Sequence, residues 1–215
     1  MYIFVIKWTC ENEGDLFMNE KTYQELADIL LNLGIDDISS EQIVKLETTW
    51  NEYPEVVMSK GSLNKLTLLL TSLGEGIYDF KNASWQPTSK HIFSFDMEAY
   101  DIENMYALLF KGIESISEGE LVFANILEAS NSEIGIGNQI VAFDLNGQPH
   151  EFEAKINYDW YDVNIIPFLN RITKNDKHTK QLFFLTDGYQ ECIVFYKDIK
   201  WANVFEEVTG LRLYR

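Results

Sequence analysis

Asp159 and Asp162 flank Trp160-Tyr161, and two carboxylates beside an aromatic pair have the residue types needed for proton transfer or for holding a hard cation. Their surroundings favour a structural role. With Asn164 as a helix cap, Pro167 falls in the first turn, where its missing N–H costs nothing. Asp162 is the alternative cap, and Asp159-Trp160 then closes the preceding turn. His91, His150 and His178 stand singly, with no HExxH or Cys/His grouping. Gly135-x-Gly137 lacks a third glycine and precedes a strand, whereas a dinucleotide fingerprint must open a helix. No P-loop, GxSxG or kinase signature occurs. The residues therefore name no catalytic group, no metal ligand and no cofactor. An enzyme would have to assemble its site from distant residues, with Asp159, Asp162 and His150 as its candidates.

A second set of acids offers binding instead of catalysis. Asp96 and Glu98 are spaced i, i+2 on one strand and Glu151 and Glu153 on another, and that spacing points side chains the same way. Were those strands close, the acids would form one patch, extended by Asp144 and Glu128. Like charges side by side cost stability that a basic partner can recover. The competing reading is a plain solvated sheet face.

The elements that would hold these residues read as follows. Tyr2–Trp8 is a strand, and Glu55–Ser59 is a short strand or merely extended. A helix over 19–33 carries Tyr23, Leu26, Ile29, Leu30 and Leu33 on one stripe, with Thr22-x-x-Glu25 as capping box and Gly34 as stop. Ser39 and Gln42 cap a second helix with Ile43, Leu46 and Trp50 on one face, and a leucine-rich third runs from Ser62 to Leu73. Residues 74–90 carry turn signals and make the best boundary. His91–Glu98 alternates, with Phe93, Phe95 and Met97 toward the core and Ser94, Asp96 and Glu98 toward water. Asp101 caps a helix ending at Gly119, and Leu121–Ala129 reads as a central strand, apolar on both faces. Asn146-Gly147 turns a hairpin that faces Val141, Phe143, Leu145, Phe152, Ala154 and Ile156 inward. Asp187-Gly188 turns a second hairpin, apolar on both faces. The last helix starts at Asp198, buries Ile199, Ala202, Phe205 and Val208, and stops at Gly210, and the LRLY tail adds an edge strand. Hairpin-joined strands pair antiparallel, so the fold class is α+β: a largely antiparallel sheet with helices packed on it, preceded by a mainly helical N-terminal region. The division is 1–85 and 86–215.

Composition narrows the partner. The 215 residues carry 34 acidic and 17 basic side chains, a net charge of -17, which disfavours nucleic acid and anionic membrane and favours a basic protein. The excess is regional: residues 1–161 hold 27 acids against 9 bases, and residues 162–215 hold 7 against 8. Cys10 and Cys192 match no metal or disulfide spacing and read as reduced core residues. MYIFVIKWTC has no preceding basic region and carries Lys7, so it reads as a strand and not a signal peptide. The longest aliphatic run, Leu66–Leu70, is far below the roughly 18 to 20 residues of a membrane span. These features predict a cytoplasmic protein.

The segments NYDWYDVNIIPFLNRI and FFLTDGYQECIVFY resemble the C-terminal part of small acidic immunity proteins of bacterial polymorphic-toxin systems. The likeness covers about the last quarter of the chain and rests on aromatic packing and turn residues. It implies a cytoplasmic protein that binds and neutralises a cognate toxin domain, basic where the toxin acts on nucleic acid. The expected function is thus a non-catalytic binding protein whose partner surface comprises Asp96, Glu98, Asp144, Glu151 and Glu153. An enzyme and a scaffold or oligomeric subunit are the alternatives, and the oligomeric state is left open.

Overall fold

The structure, a computed structural model, describes residues 18–52, 64–79, 81–82, 84–99, 104–130, 135–174, 179–186 and 190–215. The expected strand Tyr2–Trp8, the segment Glu55–Ser59, the cap Asp101 and the turn Asp187-Gly188 lie outside the described residues, as does Cys10. Among the described residues, six helices and three antiparallel sheets make the fold α+β. In chain order the elements are α1 (Tyr23–Asn32), α2 (Ser40–Glu52), α3 (Lys65–Gly74), β1 (Ile77–Asp79), β2 (Ser84–Gln86) and β3 (Ile92–Asp96). There follow α4 (Met105–Ser115), β4 (Phe123–Ser130), β5 (Ile136–Leu145), β6 (Gln148–Asn157), α5 (Ile165–Thr173), β7 (Lys180–Thr186), β8 (Glu191–Asp198) and α6 (Ile199–Thr209). The sheets are β1-β2, β3-β8-β7 and β4-β5-β6.

Local chemistry sets the helix ends. Thr22 and Glu25 form the reciprocal capping box of α1, and Ser39 and Gln42 do the same for α2, with bonds of 3.1 and 3.0 Å. Asn64 caps α3 by accepting from the Leu66 N–H, and Asp198 caps α6 by accepting from the Trp201 N–H. Each such cap satisfies an N–H that the helix leaves orphaned, and is worth about 1 kcal/mol.

The β3-β8-β7 sheet is the middle layer, buried on both faces. Ile92, Phe183, Leu185, Ile193 and Phe195 share a core with α1, α2, α3 and α6. Phe93, Leu182, Cys192, Val194 and Tyr196 share another with α4, α5 and the inner face of β4-β5-β6. Cys192 is fully buried. Three sequence expectations change here. Ser94 is 2% exposed and not in water, because the end of α3 lies on β3: a Cβ on Gly74 would sit 2.6 Å from the Ser94 nitrogen. Among the described residues, the strand after Gly119 is an edge of its sheet, not central. In α6 the buried side is Ala202, Phe205 and Thr209, while Ile199 and Val208 are exposed. Trp201 and Phe205 stack at 5.1 Å and both meet Phe195, which turns the helix by about one position, and Thr209 satisfies its hydroxyl on the Phe205 carbonyl.

Two further contacts lock the layers. On α4, Gly112 admits the Phe93 ring, since a Cβ there would lie 2.2 Å from it. Gly112→Ala is expected to cost about 1–3 kcal/mol through overpacking, against the roughly 1 kcal/mol that alanine gains over glycine in a helix. The denaturation midpoint should fall, and a rise would contradict the close approach. At the other side of the sheet, β7 is an edge strand among the described residues, and two of its residues find partners there. The Asn170 side chain of α5 donates to the Leu182 carbonyl and accepts from the Leu182 N–H, each at 2.8 Å. Phe184 exchanges two backbone bonds with Tyr214, so the tail does lie along β7, as a single bridge.

Candidate functional site

The outer face of β4-β5-β6 is built by an irregularity in β4. Between Ala124 and Leu127 the register shifts, so that Asn125 and Ile126 both lie opposite Phe143, with Asn125 at φ 52°. A bulge of this kind reverses the alternation beyond it. Leu127 therefore points outward, 68% exposed, and Glu128 points inward. The Glu128 carboxylate accepts the Ala107 N–H at 2.9 Å, in the first turn of α4, where a negative charge is favoured by the helix dipole. Glu128 consequently leaves the acidic surface to which its place in the sequence assigned it.

Around Leu127 the outward residues are apolar on β4 and the middle of β5, and acidic on β6. Leu127 lies opposite Ala142, and Ala142 opposite Glu151; Ala129 lies opposite Ile140, and Ile140 opposite Glu153. Asp144 sits at the end of the same face, between Ala124 and Pro149, and accepts from the Asn125 amide at 2.6 Å. Asn138 donates to Glu153. Lys155 continues the row on β6. No ion pair among the described residues involves Asp144, Glu151 or Glu153; the pairs join Asp36 to Lys90 and His91, and Lys180 to Glu118 and Glu120.

Asp96 and Glu98 fall elsewhere. Asp96 ends β3, opposite Glu191 of β8, on the side of the strand that carries Ile92 and Ser94. Glu98 is bridged to Trp160 and accepts from the Gln190 amide. The five acids are thus in two groups, Asp144, Glu151 and Glu153 together on β5 and β6, and Asp96 at the end of β3 with Glu98 just beyond it. Leu127, which centres the first group, went unread in the sequence; its one signal is Asn125, a residue that tolerates positive φ, inside an apolar run.

The residues with catalytic potential are distributed differently. Asp162 accepts from the backbone N–H groups of Lys155 and Asn164, which is turn and cap chemistry. Asn164 occupies the N-cap position of α5, as expected, but its side chain makes no capping bond to the helix and donates to Asp162 at 2.7 Å instead. His150 opens β6 and rests on the Phe143 ring, whereas Asp159 and Asp162 follow the far end of that ten-residue strand. Seven strand steps, roughly 23 Å, separate His150 from Asn157 at the end of β6, and five, roughly 16 Å, separate it from Lys155, whose N–H Asp162 accepts, so the three do not converge. A different line of groups does form: Asp36 lies 2.9 Å from His91 Nε2, and Lys197 lies 3.1 Å from His91 Nδ1. With Lys197 donating to Nδ1, the ring donates Nε2–H to Asp36. Sequence separations of 55 and 106 residues hid this line. Desolvation by burial lowers the Lys197 pKa, and hydrogen bonds from His91 and then Lys90 bring that of Asp36 down to about 2. Because the folded value lies below the unfolded one, near 3.8, the Asp36 contribution is complete above pH 4 and is lost as pH falls toward 2. Asp36→Asn is expected to make the denaturation midpoint less dependent on pH across that window. An unchanged dependence would contradict the pairing.

Among the described residues no group of three or more His, Cys, Asp or Glu could hold a metal ion, and no helix is long and apolar enough to cross a membrane. Comparison with protein-family models, curated proteins and solved structures finds no match.

Proposed function

We propose that this chain is a cytoplasmic, non-catalytic binding protein of the immunity type, which neutralises a basic toxin domain by docking it on the outer face of β4-β5-β6. The observation that carries the reading is Leu127, 68% exposed at the centre of an apolar strip and bordered by Asp144, Glu151 and Glu153. An apolar centre with a polar rim is the usual anatomy of a protein interface. Acids without ion-pair partners would steer a basic protein in, and their mutual repulsion would be relieved on contact. The excess of 27 acids over 9 bases in residues 1–161 supports the same sign of partner.

Co-purification from the native cell at low and at high salt tests this. A basic protein retained at low ionic strength and released at high is the expected result. No partner at any ionic strength would contradict it.

A further inference from the structure

A second site lies away from that face, at the end of β8, where Asp36, His91 and Lys197 stand in line. Lys197 follows Ile193 and Phe195 at strand spacing, which points it to the side of the sheet packed by α3 and α6. It is partly buried there, with the Trp201 ring 5.8 Å from Nζ. Among the described residues no carboxylate forms an ion pair with it, whereas Lys90 and Lys180 both have acidic partners. Its hydrogen bond goes to a base instead: Nζ lies 3.1 Å from His91 Nδ1. Three contacts hold that base. Ser89 Oγ accepts the His91 N–H at 3.1 Å, Asp37 accepts the Lys90 N–H at 2.7 Å and so ties the loop before α2 to the start of β3, and Asp36 accepts the ring's Nε2–H at 2.9 Å. The ring's free electron pair is thereby turned onto the Lys197 nitrogen.

A nucleophile within reach of a base that a third group orients is the arrangement of nucleophilic catalysis, here with an amine in place of a hydroxyl or thiol. Burial is the largest influence on the Lys197 pKa and lowers it; Lys180 adds to this, and the carboxylates of Glu118, Asp37 and Asp36 oppose it. An amine that is uncharged more of the time is a nucleophile more of the time. We propose that Lys197 is a self-acylation site, taking the acyl group of a thioester with His91 as general base. The Lys197 nitrogen attacks the thioester carbonyl, the C–N bond forms and the C–S bond breaks, and the proton lost by nitrogen passes through His91 to the departing thiolate. No oxidation state changes, and the product is an uncharged amide. Asp36 acts through His91, as a positioning residue. This site does not rest on the docking face of β4-β5-β6.

Incubation of the full chain with the acetyl thioester N,S-diacetylcysteamine, followed by peptide mass spectrometry, tests the proposal. At about pH 8, Lys197 is expected to be acetylated about tenfold faster than Lys200, an exposed lysine three residues on. The rate at Lys197 should reach half its maximum below pH 10.5, the ordinary lysine value, a measurement that needs no variant. His91→Gln keeps an acceptor for the ammonium but removes the base, and should bring Lys197 down to the Lys200 rate in a chain that stays folded. Acetylation of Lys197 no faster than of Lys200, a half-maximum at or above pH 10.5, or an unchanged rate in folded His91→Gln would overturn it.

Discussion

Phe110→Ala is expected to lower the stability of this protein by about 3–5 kcal/mol. Phe110 is fully buried on α4 and joins that helix to the sheet bearing Leu127. Its ring stacks on Phe123 of β4 at 4.5 Å and 2°, and meets Phe143 of β5 at 4.6 Å. Truncation removes the burial of one large ring and leaves a void among neighbours on three separate elements, which cannot all close on it. It also removes three aromatic pairs, with Tyr106, Phe123 and Phe143, each worth about 0.5–1.5 kcal/mol beyond area. A loss of that size is a large part of the 5–15 kcal/mol typical of a folded domain. Urea denaturation should show a much lower midpoint, and amide exchange should quicken in β4 and β5 before β8. A loss below about 1 kcal/mol would show that the layers are not held there.

Asn170→Ala should cost about 2–4 kcal/mol for a different reason. β7 is an edge strand, and Leu182, 1% exposed, presents its outward N–H and C=O to Asn170 alone among the described residues. Alanine would leave two backbone groups without partners in a site that water reaches poorly, at about 1–3 kcal/mol each. It would also open a stretch of sheet edge able to pair with another chain. Asn170→Asp separates the two bonds, because a carboxylate accepts from the N–H but cannot donate to the carbonyl. A falling denaturation midpoint and rising light scattering are expected for Asn170→Ala. Stability within 0.5 kcal/mol of the parent chain, an ordinary surface effect, would contradict the edge-capping role.

What the sequence made legible was what short-range chemistry decides. The boxes at Thr22 and Ser39, the cap at Asp198, and the Asn146-Gly147 turn at φ 52° and 77° involve residues at most three apart. The apolar character of β8 on both faces likewise announced its place between two cores. Features set by long-range packing were not legible. Ser94 reads as a solvent residue by alternation and is buried because α3, some twenty residues earlier, covers that face. The bulge at Asn125 reverses the alternation of β4, so that Leu127 and Glu128 exchange the faces that regular alternation gives them. The grouping of the acids follows from the sheets being separate, and local spacing carries no information about that. The β1-β2 hairpin has three residues on each strand, too few for a periodic signal amid the turn residues of 74–90.

The most direct test of the docking face is a charge reversal of fixed size in two places. Glu151→Lys/Glu153→Lys alters the rim beside Leu127, and Glu41→Lys/Glu52→Lys makes the same change in net charge on exposed positions of α2. Retention of the basic partner at low salt should be lost in the first variant and kept in the second, with both chains folded. Retention lost equally in both, or kept in the first, would contradict docking on the outer face of β4-β5-β6.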